Sequence, residues 1–139
     1  MTDSMDTEVR GAGELIGSVA ARLSRERRIP LCLIFGGETV VHLKGNGIGG
    51  RNRELALSAA KYISGIDNIA VFSVASDGTD GPTDAAGGYV DGNTYAATPD
   101  YEKLPHNNDS YSAPKISDGL IFTGPIGTNV NDFASILIK

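Results

Sequence analysis

Tryptophan is absent from this 139-residue chain, aromatic residues make up only 6% of it, and cysteine occurs once. Each shortage closes a possibility. A core without tryptophan must be built from aliphatic side chains. A single cysteine, Cys32, excludes an intrachain disulfide framework and fits a reducing compartment. It sits inside the apolar run 31–35, where it reads as a small buried hydrophobe. His42 and His106 stand alone, so no Cys/His metal site, Ser–His–Asp order or catalytic-cysteine setting emerges. An excess of positive charge is also missing. The formal net charge is −5, which argues against sequence-independent nucleic-acid binding. No apolar run approaches the ~18 residues of a membrane span, and the polar N-terminus lacks the apolar segment of a signal peptide. The expectation is a soluble, cytoplasmic protein that uses neither nucleic acid nor membrane.

What is abundant is glycine, with 18 residues that cluster rather than scatter. Clustered glycine marks loops of special backbone geometry. The length suits one domain with its own core. Residues 1–10 read as a flexible tail. The spacing of Leu15, Ile16, Val19, Ala20 and Leu23 predicts an amphipathic helix over 13–28, ending in a basic patch and Pro30. The run 31–35 predicts a buried strand, and Gly36-Gly37 a turn into a second strand over 39–43, paired with it as a hairpin. A helix is expected over 52–64, and residues 69–75 (IAVFSVA) form the clearest buried strand. Further strands are expected at 119–123 and 133–138. The alternation favours a layered α/β domain with a mixed sheet flanked by helices.

Two loops carry candidate chemistry. In residues 44–53 (KGNGIGGRNR), Arg51 and Arg53 lie in the first turn of a helix, where each exposed cation is unfavourable by roughly 0.3–1 kcal/mol against the dipole. Lys44, these arginines and the backbone of Gly45, Gly47, Gly49 and Gly50 form a cradle suited to a phosphate or carboxylate. The glycines also match GxGxxG, but the preceding strand is half polar and the helix opens with charges, so a dinucleotide site is the weaker reading. Walker A spacing is absent. The second loop, residues 76–88 (SDGTDGPTDAAGG), leaves the carboxyl end of the best strand, the edge where ligands bind in open α/β sheets. Asp77, Asp80 and Asp84 could hold Mg²⁺, orient a hydroxyl or answer the arginines of the first loop. Asp84 equally suits the cap of a short helix starting at Ala85. Residues 107–110 and 123–132 add asparagines and threonines, which are turn formers as well as ligands for hydroxyls and carboxylates.

GGET (36–39), KGNGIGGRNRELAL (44–57), SDGTDGPTDAAGG (76–88), NNDSY (107–111) and TGPIGTNVND (123–132), in this order, resemble the C-terminal MOFRL domain of the type-2 glycerate kinases. Some relatives of that family carry the label hydroxypyruvate reductase. The resemblance runs from about residue 8 to the end. It implies phosphorylation of D-glycerate, typically to 2-phosphoglycerate, using ATP and Mg²⁺, in a cleft between this domain and a larger N-terminal α/β domain. By motif, Arg51 would contact a substrate or phosphate anion, and Asp77 and Asp80 would face the cleft as catalytic groups. Lys44, Gly45, Gly47, Gly49, Gly50 and Arg53 would line the anion site, and Asn129 with Asp132 would shape its wall. No metal ligand is assigned. On this reading residues 11–139 are the MOFRL-like domain, and its partners are glycerate, a nucleotide and the N-terminal kinase domain, supplied in cis or in trans. The 139 residues alone are expected to turn over no substrate. The alternatives are a stand-alone module binding an anionic metabolite and an NAD(P)H-dependent hydroxypyruvate reductase.

Overall fold

The apolar spacing of the first helix extends further toward the N-terminus than expected. A computed structural model describes residues 5, 7–26, 29–42, 44–112, 118–128 and 130–139. In it α1 spans Val9–Glu26. Glu8 starts the helix, its carboxylate accepting the Gly11 N–H at 2.8 Å. Val9 is fully buried. Within the segment that composition assigns to a tail, residues 5 and 7 are bonded into the fold, with the Met5 N–H donating to the Gly36 carbonyl and the Val40 N–H to that of Thr7.

The second helix, α2, covers Arg51–Ile63. The strands are β1 (Leu31–Gly37), β2 (Ile69–Ala75), β3 (Gly87–Asp91), β4 (Leu120–Ile121) and β5 (Asp132–Ile138). Two single-turn helices, α3 (Thr94–Ala97) and α4 (Lys103–His106), lie between β3 and β4. The sheet order is β1-β5-β2-β3-β4. Every neighbouring pair is antiparallel, and β1 and β2 run the same way on either side of β5. The layered α/β domain expected from the sequence is present, with an antiparallel sheet in place of the mixed one expected.

Strand alternation sorts the sheet residues onto two faces. One face carries Phe35, Ala134, Ile136, Val71 and Val90, all buried in the cluster that includes Val9, Ile16, Leu55 and Ile63 of α1 and α2. At Gly17 the two helices come so close that a Cβ would lie 2.7 Å from the Ala59 carbonyl oxygen. The opposite face stays open, with Ile34, Phe133 and Leu137 exposed. Cys32 points to this open face and is exposed, not buried as its apolar neighbours suggest. The reason is architectural, because both long helices cover the same side.

Two local expectations are corrected. Residues 39–42 make no hairpin with β1, whose partner is β5. Val40 forms only an isolated parallel bridge with Glu8, and Leu43 lies outside the described residues. No helix begins at Ala85. The Ala75 N–H donates to the Ala86 carbonyl and the Ala86 N–H to that of Ile121, leading straight into β3.

Candidate functional site

The register of the sheet assembles the site. Gly37, Asp132 and Ala75 lie opposite one another across β1, β5 and β2. The chain therefore leaves β1 at Glu38 and β2 at Ser76, and enters β5 from Asn131, at one edge. Helix α2 starts beside that edge. Between these loops lies a cleft of about 1190 Å³ lined by Glu38, Thr39, Gly45, Gly47, Gly49, Arg51, Asp77, Thr79 and Asn131, among others. That volume suits a ligand of nucleotide size. A smaller hollow of about 590 Å³, lined by Cys32, Asp67 and Tyr89 among others, sits at the far end of the strands, away from these loops.

An anion does occupy the N-terminus of α2, and the chain supplies it. One oxygen of Asp80 accepts the Asn52 N–H at 3.1 Å, and the other accepts the Arg53 N–H at 3.0 Å and Arg53 Nε at 3.1 Å. The Arg53 guanidinium also donates to the Asp80 carbonyl at 2.6 Å and to the Thr83 hydroxyl at 2.8 Å. It lies 5.1 Å from the centroid of the Tyr111 ring. Neither side chain is more than 1% exposed. Arg53 and Asp80, expected from sequence among the groups that meet a ligand, are spent on each other. The carboxylate accepts two of the orphan amides and answers the dipole of the helix, and each nitrogen of the buried guanidinium has an acceptor.

The glycine loop is likewise sealed on one side. Residues 107–111 run along it, with the Gly47 N–H donating to the Asn107 carbonyl and the Tyr111 N–H to that of Ile48. The Asn108 side-chain oxygen accepts the amides of Lys44 at 2.7 Å and Gly45 at 3.0 Å. Its amide nitrogen donates to Glu54 at 3.3 Å and to the His42 carbonyl at 3.3 Å. The Gly50 N–H donates to the Ser110 hydroxyl. Glycine is required here by close approach. A Cβ on Gly47 would lie 2.5 Å from the Asn107 carbonyl oxygen, and one on Gly50 would run into the Asp80 carboxylate. These glycines admit neighbouring chain, so most of the loop's amides are already engaged.

Arg51 is the cation left at the cleft. It forms a two-point ion pair with Asp132, through Nε and Nη2. Its Nη1 donates to Glu38 at 2.7 Å. Burial works against the Arg51 charge, but the hydrogen bonds and charges of Asp132 and Glu38 outweigh it and raise its pKa above the ordinary value. Asp132 is raised too, because burial penalises its charge and Arg51 and Asn52 offset only part of that. Both directions follow from one pair in which the carboxylate is the more deeply buried partner. Asp77 stands across the cleft, one oxygen accepting the Thr79 N–H at 3.0 Å. Lys44 is exposed and makes no ion pair among the described residues, and Asn129 lies outside them. No three Asp, Glu, His or Cys side chains among the described residues group to hold a metal ion, and no described helix is long and apolar enough to cross a membrane.

Residues 31–132 match the model of the MOFRL family. The chain belongs to that family. A D-glycerate 2-kinase from Thermotoga maritima is 53% identical over 99% of this MOFRL chain, which covers 35% of that protein. A glycerate 2-kinase from Pyrococcus horikoshii is 44% identical over 99% of the chain and 33% of its own length. A protein from Agrobacterium vitis, whose name assigns it provisionally to hydroxypyruvate reductase, is 38% identical over 98% of the chain and 38% of its own length. The crystal structure of the Thermotoga maritima glycerate kinase superposes with a TM-score of 0.94, covering all of this chain and 35% of that one. This MOFRL chain thus spans about a third of the length of the relatives it matches.

Sequence reasoning passed over three MOFRL residues that shape the site. Glu38 lies in the GGET motif but was given no role. Glu54, one charge among several in the first turn of α2, pairs with Arg10 of α1 at 2.5 Å and with Asn108. Asn108 is fully engaged and buried at a positive φ of 54°. Its only sequence signal was membership of an asparagine-rich turn.

Proposed function

We propose that this chain is the C-terminal part of a glycerate 2-kinase and forms one wall of its phosphoryl-transfer cleft. The carrying observation is Arg51, a cation at the N-terminus of α2, facing a nucleotide-sized cleft from which the neighbouring Arg53 has been withdrawn. Phosphoryl transfer depends mainly on positioning and charge neutralisation, and Arg51 is placed to receive the carboxylate of glycerate or a phosphate oxygen. Thr79, Asn131 and the loop glycines line the same cleft as uncharged contacts. The second oxygen of Asp77 has no partner among the described residues. A Mg²⁺ ion carried by a nucleotide takes one or two carboxylates besides water and phosphate oxygens, and Asp77 is the residue that would hold it. Such an ion neutralises phosphate charge. The remaining ligands and the opposite wall belong to the two thirds of the relatives' length that this chain does not span.

The reductase reading fares worse on a specific ground. A dinucleotide fingerprint needs its glycine-loop amides for the pyrophosphate, and here the amides of residues 44–47 are bonded to residues 107 and 108. Titration with D-glycerate, inorganic phosphate, ATP–Mg²⁺ and NADH, followed by amide chemical shifts, tests the proposal. Saturable shifts around Arg51 with glycerate or phosphate, lost in Arg51→Gln, are expected. Binding of NADH and none of the others would overturn it. Glycerate phosphorylation should require a supplied N-terminal domain.

A further inference from the structure

Arg51 is held by two carboxylates of very different standing. Asp132 is 8% exposed, grips Nε and Nη2 together, and is fixed at the first residue of β5. Glu38 is 56% exposed, touches Nη1 alone, and lies in the loop after β1. A two-point pair with a buried partner is strong and geometrically specific, whereas an exposed single contact contributes little and is readily exchanged. Both carboxylates exist to satisfy a cation that would otherwise sit unpaired at the positive end of α2. Only one of them lines the cleft. Glu38 does, while Asp132 is buried at the Nε edge of the guanidinium.

We propose that Glu38 is a built-in stand-in for the substrate anion. In the empty cleft its carboxylate occupies the Nη1 side of Arg51, and the carboxylate or phosphate group of the substrate displaces it on binding. Asp132 stays in place and keeps the guanidinium aimed at the cleft. This inference rests on the proposed anion site at Arg51 and assigns a competitor within it. The arrangement keeps the arginine ordered without a ligand, so binding loses less side-chain freedom. It also sets a threshold, since an incoming group must bind Arg51 better than an exposed glutamate does.

The test uses the 139-residue chain and amide-shift titrations at fixed ionic strength, with inorganic phosphate and D-glycerate as separate probes. Glu38→Gln removes the competing charge and should tighten binding by about two- to fivefold, the worth of an exposed ion pair. Structural damage would loosen binding, so the direction is diagnostic. Asp67→Asn removes the same charge from an exposed position at the far end of the strands, and should change affinity by less than about twofold. Tightening for glycerate alone would identify the displacing group as the substrate carboxylate, and tightening for phosphate alone as a phosphoryl group. Wild-type binding that Arg51→Gln abolishes but Glu38→Gln leaves unchanged or weakens would overturn the inference and spare the anion site. No saturable binding of either probe by wild type or Glu38→Gln would overturn both.

Discussion

Replacing Asp80 by alanine should unfold this domain under conditions that leave the parent folded, whatever it does to a ligand. The substitution would leave the Arg53 guanidinium with no carboxylate at 0% side-chain exposure. It would also take the acceptor from the Asn52 and Arg53 amides. Breaking a buried ion pair by removing one partner costs about 3–5 kcal/mol. Losing a helix N-terminal acceptor typically adds ~1 kcal/mol, part of which is the same desolvation counted twice. A loss of about 4 kcal/mol is a large share of the roughly 5–15 kcal/mol that holds such a domain together. With a urea m-value of about 2 kcal/mol/M, the midpoint should fall by about 2 M. Arg53→Met should cost less than Asp80→Ala, because Asp80 keeps the two backbone donors. Adding Arg53→Met to Asp80→Ala should restore stability, since it removes the stranded charge. The assay is urea unfolding followed by circular dichroism on the three variants. A midpoint shift below about 0.5 M for Asp80→Ala, or a double variant weaker than the single, would refute the internal-anion reasoning. Asp80 would then return to the list of groups free to act on a ligand.

Asn108→Ala should lose about 2–3 kcal/mol, through the acceptor of the Lys44 and Gly45 amides and the strain of a β-carbon residue at positive φ; Asn108→Gly should recover the strain but not the bonds. Hydrogen exchange checks this, and unchanged protection of the Lys44 and Gly45 amides in either variant would contradict it. Tyr101 donates its hydroxyl to the Leu57 carbonyl, and burial pushes its pKa well above the ordinary value. A folded pKa above the unfolded one means that its stabilisation is complete below about pH 10 and declines as pH rises past that value. Tyr101→Phe should therefore cost about 1 kcal/mol at pH 7 and flatten the loss of stability between pH 10 and 11.5. Parallel pH profiles for the two proteins would show that reasoning to be wrong.

Much of the fold could be read from periodicity. The run 69–75 became β2 with those bounds, α2 shifted by one residue, and β5 started one residue early at Asp132. These segments have patterns that burial on one stripe or one face dictates, whatever the partner. The hairpin expected after β1 failed for the opposite reason. A Gly-Gly turn followed by alternation is compatible with a hairpin, but β5 offered β1 seven paired residues, and residues 38–42 were drawn to α1 and the cleft. Cys32 was misplaced because an apolar run does not say how many faces of a sheet are covered.

The amino-acid sequence by itself determined that an anion must sit at the start of α2. Two arginines beside a helix dipole and four clustered glycines demand one, and that demand is local electrostatics. Which anion answers it was decided only by the tertiary structure. Asp80, 27 positions from Arg53, arrives through the pairing of β2 with β3 and β5, and burial makes its match with Arg53 exclusive. The same packing leaves Arg51 at the rim, shared between a buried aspartate and an exposed glutamate. Dipole and charge are properties of neighbours along the chain. Burial belongs to neighbours in space, and burial separates the structural arginine from the one placed to meet a ligand.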